Sequence, residues 1–285
     1  MNNIRDPLGR ALEALSWLVE TPQDEVGVRD ISLALDIAPS SAHRVLSSLV
    51  DKGFIEQDPG SGLYSLGADF FRIAQLATER LPFKRVALPH LRRLAEVSNE
   101  TVILGLYNKG RQEMMFVICL DSSNSLRYVV ETNKWLPVHA GATGLGILAF
   151  LSTEERRSII SKSRLRSLTE KTITSAVQLE AEAERIRQRG YAISAGQRIP
   201  GAIGLAAPVW GPGTEVIGDV CLTIPEQRFI PSSEKVLANA VMVCAACISR
   251  DLGHVSNEPD QSLPVKGAGE KVSTLTSLSK KKRTV

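Results

Sequence analysis

With 285 residues, 43% hydrophobic and 23% charged, the chain has the make-up of a soluble globular protein and the length of a small module joined to a larger one, which excludes disordered and fibrous classes. The start, Met1 to Arg10, has no apolar stretch behind a basic one, and no window of about 18 uncharged apolar residues follows, so a cytoplasmic protein without a membrane span is expected. The net charge of +3 does not come from the N-terminal part: residues 1–75 carry six Lys+Arg against eleven Asp+Glu, and residues 253–285 carry six against three, so DNA binding has to be argued from where individual cations sit.

Leu8, Leu12, Leu15, Leu18 and Val19 recur at helical spacing, and Glu20-Thr21-Pro22 closes that helix. Val28 to Leu35 reads as a short helix with Ile31 and Leu35 inward. Asp36 to Pro39 is a tight turn, and a further helix runs from about Ser40 to Lys52 on Val45, Leu46 and Leu49, ended by Gly53. Two short alternating strands, Phe54 to Gln57 and Leu63 to Leu66, flank the turn formers Asp58-Pro59-Gly60-Ser61-Gly62. An amphipathic helix over Asp69 to Arg80 stops at Leu81-Pro82 and reads as a linker.

Beyond it, a helix over Phe83 to Val97 leads into strand-like runs at Thr101 to Tyr107, Glu113 to Cys119 and Leu126 to Val130. Ser152 with Glu155 fits a capping box, and Ala176 to Arg189 is a charged amphipathic helix ended by Gly190. Ile203 to Trp210 and Val216 to Ile224 read as strands, and Ser232 or Ser233 caps a last apolar helix reaching about Leu252. From Gly253 onward Gly, Ser, Pro and Lys prevail without periodicity, which reads as a disordered tail ending in the run Lys280 to Arg283. The expected domains are therefore 1–67, a linker 68–82, a larger domain 83–252 and a tail 253–285.

Two short helices, a four-residue turn and a following hairpin make a winged helix-turn-helix, whose second helix enters the major groove of double-stranded DNA. Ser40, Ser41 and free helix N–H groups suit phosphates, and His43 and Arg44 suit base edges. Arg10, Arg29 and the wing-tip Ser61 complete the candidate DNA contacts. Each has a plainer reading by itself, Ser40 as a helix cap and Arg44 as a solvated charge; their joint placement at one helix end favours DNA.

Four cysteines make no disulfide framework, and Cys244 with Cys247 lacks the two further ligands of a tetrahedral metal site, so neither metal nor cofactor is expected. There is no Walker A lysine, no GxSxG serine and no GxGxxG order, which disfavours an enzyme. A ligand sensor or adaptor without DNA binding remains the other alternative, because the N-terminal module is acidic.

The residues resemble the isocitrate lyase regulator (IclR) family from Leu8 to about Leu252. The carriers are Asp30-Ile31-x-x-Ala34-Leu35-x-Ile37-x-x-Ser40-Ser41-x-His43-Arg44-x-Leu46-x-x-Leu49-x-x-x-Gly53-Phe54, then Tyr64-Ser65-Leu66-Gly67, Glu100-Thr101-Val102, Leu136 to Gly144, Arg189-Gly190-Tyr191-Ala192 and Gly204 to Val209. The resemblance implies an α+β chain, a winged helix-turn-helix joined by a linker helix to a GAF-like antiparallel-sheet domain that binds a small effector. The family's pocket residues fall on Gly141, Ala142, Thr143, Ser194, Gly204, Cys221 and Thr223, with Tyr128, Leu136 and Ala202 as the apolar wall.

Family members commonly carry an acidic cluster where this chain has Ser194-Ala195-Gly196-Gln197-Arg198. That change, with the helix start at Gly141 to Gly144, favours a small organic acid, aromatic or short aliphatic. Arg198 is either part of the pocket or a solvent-facing loop residue, and Gly204 suggests room for a bulkier ligand. The implied regulator is a homodimer or homotetramer on a pseudo-palindromic operator, controlling a catabolic operon as repressor or activator.

Overall fold

The computed structural model describes residues 6–79, 82–162 and 165–255. The end of the linker at Arg80 and Leu81, and the tail from residue 256 with its Lys280 to Arg283 run, lie outside them. The chain divides into two compact units at Leu81/Pro82.

In the first unit, helices α1 (Pro7–Glu20), α2 (Val28–Ala34) and α3 (Pro39–Val50) precede strands β1 (Ile55–Gln57) and β2 (Tyr64–Leu66), and helix α4 (Ala68–Glu79) follows. Asp6 caps α1 by accepting the Gly9 N–H at 2.9 Å, and Pro7 supplies a first-turn residue that has no N–H to satisfy. The core is Ala14, Leu18, Val26, Ile31, Ala42, Val45, Leu46, Leu49, Ile55 and Tyr64, with one face of each helix turned inward. Complete burial of Leu46 contributes about 1.5–3 kcal/mol. The antiparallel pair Ile55↔Leu66 to Gln57↔Tyr64 forms the wing, and Val26 bridges to Tyr64 to tie it to the helices. Leu8, Leu12 and Val19 of the helical repeat in α1 are 70%, 57% and 49% exposed. They form a second apolar stripe, because Ala14 and Leu18 already fill the inner face.

The second unit is a six-stranded antiparallel sheet in the order β5-β4-β3-β8-β7-β6. Its strands are β3 (Thr101–Asn108), β4 (Glu113–Leu120), β5 (Leu136–Pro137), β6 (Ala192–Ala195), β7 (Ala202–Trp210) and β8 (Val216–Pro225). Both faces are covered, so the inner strands are apolar almost throughout. Helices α5 (Pro82–Ser98) and α9 (Glu234–Asp251) pack on one face over Val102, Leu104, Leu205, Val220 and Leu222. The other face carries α6 (Gly141–Leu148), α7 (Thr153–Lys162) and α8 (Ala176–Arg189) over Ile103, Phe116, Ala206 and Cys221.

One expectation needs correction and a second holds only in part. Leu126 to Val130 is not a strand: Leu126 and Val129 are exposed, and the edge of β4 is taken by Leu136–Pro137 and by the Asn133 N–H, which donates to Phe116 O at 2.8 Å. Ser233 stands at the N-cap of α9, as one of the two serines was expected to, but without a side-chain cap bond: its hydroxyl donates to Ile230 O at 2.7 Å, across the 3₁₀ turn Pro231–Ser233. The segment Pro231–Asp251 passes a length-and-composition test for a membrane span, although its uncharged run, Val236 to Ser249, is, as expected, shorter than 18 residues. Its Ala238, Val241, Cys244, Ala245 and Ile248 are nevertheless buried in the sheet core.

Candidate functional site

In the first unit four of the candidate DNA contacts, Ser40, Ser41, His43 and Arg44, lie in the first two turns of α3. The N-cap is Ala38, in extended backbone, so no side chain satisfies this helix end and its N–H groups carry the positive pole of the dipole. Ser40 therefore stands inside the first turn and is not the cap. Ala42, Val45, Leu46 and Leu49 are buried on the inner face, while Ser40, His43 and Arg44 are exposed on the other and Ser41 is half-buried. The hydrogen bonds on that outer face stay within α3: the Ser48 hydroxyl donates to Arg44 O at 3.0 Å, and His43 Nδ1 lies 3.4 Å from Ser47 Oγ. Arg29 is exposed on α2, and Arg10 is half-buried on α1.

At the wing tip the candidate Ser61 is held in a turn by Asp58. Asp58 Oδ1 accepts the Gly60 N–H at 3.0 Å, the Ser61 N–H at 2.6 Å and the Ser61 hydroxyl at 2.8 Å. These bonds, the Ser61 N–H foremost, hold the Asp58 carboxyl below its ordinary value. The hydroxyl of Ser61 is thus committed to a carboxylate, and the tip is an acidic turn.

The second unit holds a cavity of about 40 Å³ between the sheet and the N-terminus of α6. Its lining includes Gly141, Ala142, Thr143, Ser194, Ala202, Gly204, Cys221 and Thr223, all expected from the sequence. Ile103, Phe116, Val130, Gln197, Arg198 and Ile199 complete it. Alternation accounts for the sheet contributions: Ser194 and Gly204 are register partners, as are Gly204 and Thr223, so their side-chain positions share one face. The volume takes about one to three waters, so a ligand with a ring enters only as the lining gives way.

Arg198 belongs to this lining. Its Nη2 donates to Pro137 O and Ala140 O, each at 2.7 Å, which clamps the segment leading into α6. Gly141 is essential there: its φ is +77°, and a Cβ would stand 3.0 Å from Arg198 Cβ and 3.1 Å from its Nε. Burial lowers the Arg198 pKa to about 10, with Asp219 and Cys221 pulling the other way, so the guanidinium stays charged at neutral pH. The Gln197 and Gly196 carbonyls accept from Thr169 and Thr172 hydroxyls at 2.7–3.2 Å, which fixes this loop.

Two wall residues do not line the cavity. The Tyr128 hydroxyl donates to Pro200 O at 3.0 Å, at the edge of the loop, and Leu136 packs into the α6 side core from β5. Gly204 makes no extra room either, since a Cβ there would lie 2.7 Å from Ala142 Cβ. Sequence reasoning missed the lining residues Ile103, Phe116, Val130, Gln197 and Ile199, and also Asp219, which does not line the cavity but is wholly buried on β8 against Gly105. A lone acid within the apolar run Val216 to Ile224 was its signal. Burial raises its pKa well above the carboxylate range, only partly offset by Thr143, Arg198 and the Gly105 backbone. His139 is buried too: Nε2 lies 3.0 Å from Arg166 O, Nδ1 has no partner, and burial lowers its pKa. Among the described residues no group of three His, Cys, Asp or Glu forms a metal site.

Comparison with known proteins agrees with this architecture. Residues 7–59 match the family described as IclR helix-turn-helix domain, and residues 75–250 match Bacterial transcriptional regulator IclR C-terminal. A glycerol operon regulatory protein of Streptomyces griseus is 32% identical over 242 residues, spanning 84% of this chain and 94% of its own. The transcriptional repressor IclR of Escherichia coli K12 is 25% identical over 239 residues, spanning 84% and 86%. The fold is similar to that of an IclR homologue of Microbacterium hydrocarbonoxydans crystallised with 4-hydroxybenzoate, at a TM-score of 0.73 and 24% identity over 87% of this chain and 99% of that one. The chain belongs to the IclR family: it is a transcriptional regulator with a helix-turn-helix DNA-binding domain, and not an enzyme.

Proposed function

We propose that this regulator reads a pseudo-palindromic operator with the start of α3 and releases or engages it in response to a small organic acid bound under α6. The observation that carries the DNA half is the uncapped α3 end with Ser40, His43 and Arg44 exposed beside it and the opposite face buried. Ser40, Ser41 and the helix N–H groups hold phosphates, and Arg44 and His43 reach base edges. Arg10 and Arg29 flank them, and the wing tip Gly60-Ser61-Gly62 lies along the phosphate backbone.

A homodimer, or a tetramer built from two dimers, matches the two-fold symmetry of such an operator. The exposed stripe of Leu8, Leu12 and Val19 on α1 suits a second copy of this chain, which would bury it again. The acid is held by the first turn of α6 and by Arg198, and its differential binding shifts the population of DNA-competent dimers through α4. The complex works in the cytoplasm and controls a catabolic operon, by analogy with the glycerol operon regulatory protein of Streptomyces griseus.

A mobility-shift titration on duplex from upstream of the protein's own gene tests this. Binding should weaken steeply with salt and survive competition by unrelated duplex. Equal competition by both duplexes would leave a ligand sensor without operator recognition.

A further inference from the structure

A helix begins with four backbone N–H groups that its own turns do not satisfy, and in α4 the wing takes up two of them. The Ala68 N–H donates to Glu56 Oε1 on β1 at 3.2 Å, and the Asp69 N–H donates to Gly53 O, just before β1, at 3.1 Å. The Gly67 N–H adds a bond to Phe54 O at 2.9 Å, and a Cβ on Gly67 would collide with Gly53 O, so the two backbones touch. The same stretch is tied to α3: the Gly53 N–H donates to Val50 O at 2.9 Å and the Phe54 N–H to Leu49 O at 3.0 Å.

After this first turn α4 stands clear, since residues 71–78 are all exposed, Phe71, Ile73 and Leu76 among them. The direction of α4 relative to the wing is therefore set at its start. Of the bonds named, only that of Glu56 comes from a side chain, with its carboxylate at the positive pole of the α4 dipole. An acid on the wing works against attraction to phosphates, and the cap accounts for its presence there.

We propose that Glu56 is a positioning residue: by capping α4 it fixes the angle between the linker helix and α3, and with it the half-site spacing that a dimer accepts. This rests on the operator reading above and assigns its spacing to one side chain. The 12 residues of α4 span about 18 Å, so a swing of about 10° at its start moves its far end by about 3 Å, close to one base-pair step of about 3.4 Å. An operator one base pair too long or too short thus strains this joint and breaks the cap bond. Where the bond is already absent, that part of the penalty disappears.

The test uses the full chain, native and as Glu56→Gln and Glu56→Ala, on a duplex enriched from a random pool by the native chain and on the same duplex with its centre lengthened or shortened by one base pair. Both variants remove the charge, so any general gain in phosphate attraction is common to them, while Gln keeps an oxygen that accepts the Ala68 N–H. Glu56→Gln should keep the native preference for the enriched spacing, and Glu56→Ala should lower it by about threefold or more, the weaker end of what a lost helix cap costs. Hydrogen exchange at the start of α4 should quicken in Glu56→Ala only. A role in folding alone would weaken binding to all three duplexes alike and leave their ratio unmoved. A native ratio in Glu56→Ala, an equal loss in Glu56→Gln, or unchanged exchange at the start of α4 in Glu56→Ala would overturn the proposal. Should no duplex enrich, the operator reading fails, and the exchange comparison alone decides whether Glu56 holds the helix.

Discussion

Gly204 on β7 lies directly beneath Ala142 in the first turn of α6, so closely that a Cβ would stand 2.7 Å from the Ala142 methyl. Backbone of the sheet and backbone of the helix approach each other only because one partner of the pair has no side chain. Gly204→Ala should therefore push α6 off the sheet and cost about 1–3 kcal/mol, read as a lowered denaturation midpoint. Ala142→Gly in the same chain should recover most of that loss, since it removes the opposing methyl. Additive losses in the double variant would show that the pair is not in contact.

Asp219 makes stability depend on pH in the direction opposite to a salt-bridged carboxylate. Burial raises its folded-state pKa well above the ordinary value, so the folded chain keeps a proton that the unfolded chain releases above about pH 4. Stability should then fall as pH climbs from about 4 towards the folded-state value. Asp219→Asn keeps the shape and removes the ionisation, so its advantage over the native chain should widen across that window. Urea denaturation of both chains at several pH values checks this. Parallel pH curves would assign the pH dependence elsewhere.

The stripe on α1 gives a separate expectation. Leu12 is 57% exposed, so Leu12→Glu should leave the fold of its unit intact, within about 0.5 kcal/mol. If two copies meet along Leu8, Leu12 and Val19, the substitution places a charge in a buried apolar seam, and sedimentation velocity should show a lighter species. An unchanged mass with an unchanged melting curve would move the interface elsewhere.

The architecture was legible in the sequence wherever a local rule governs. Pro39 at the start of α3, Gly53 after its end and the run Asp58 to Gly62 between two short strands mark the winged module by turn chemistry alone. Ala176 to Arg189 and Gly190 do the same for α8, whose Gly190 takes the left-handed conformation at φ +82°. Local pattern failed where partners decide. Leu126 to Val130 alternates like a strand, but β4 offers it no free edge, because Leu136–Pro137 and Asn133 already occupy it.

Site residues divided in the same way. Gly141 to Thr143, Ser194, Gly204, Cys221 and Thr223 follow from the family resemblance and fall on the cavity. Tyr128 and Leu136 were placed by the same resemblance and sit outside it, since neither a hydroxyl bond to Pro200 nor packing from β5 can be read from sequence. The two directions left open for Arg198 are resolved by its bonds to Pro137 and Ala140, carbonyls about 60 positions earlier that no local pattern connects to it. The bond from the Ser61 hydroxyl to Asp58, three residues before it, is likewise a feature that the turn formers alone do not announce.

Selection of binding sites from a random duplex pool tests most directly whether the start of α3 reads DNA. The full chain should enrich a two-fold symmetric sequence, and Arg44→Ala should lose base preference at defined positions of each half-site, with affinity for the native motif reduced by about 1–3 kcal/mol. Enrichment of no sequence, or of the same sequence with the same affinity by Arg44→Ala, would contradict it.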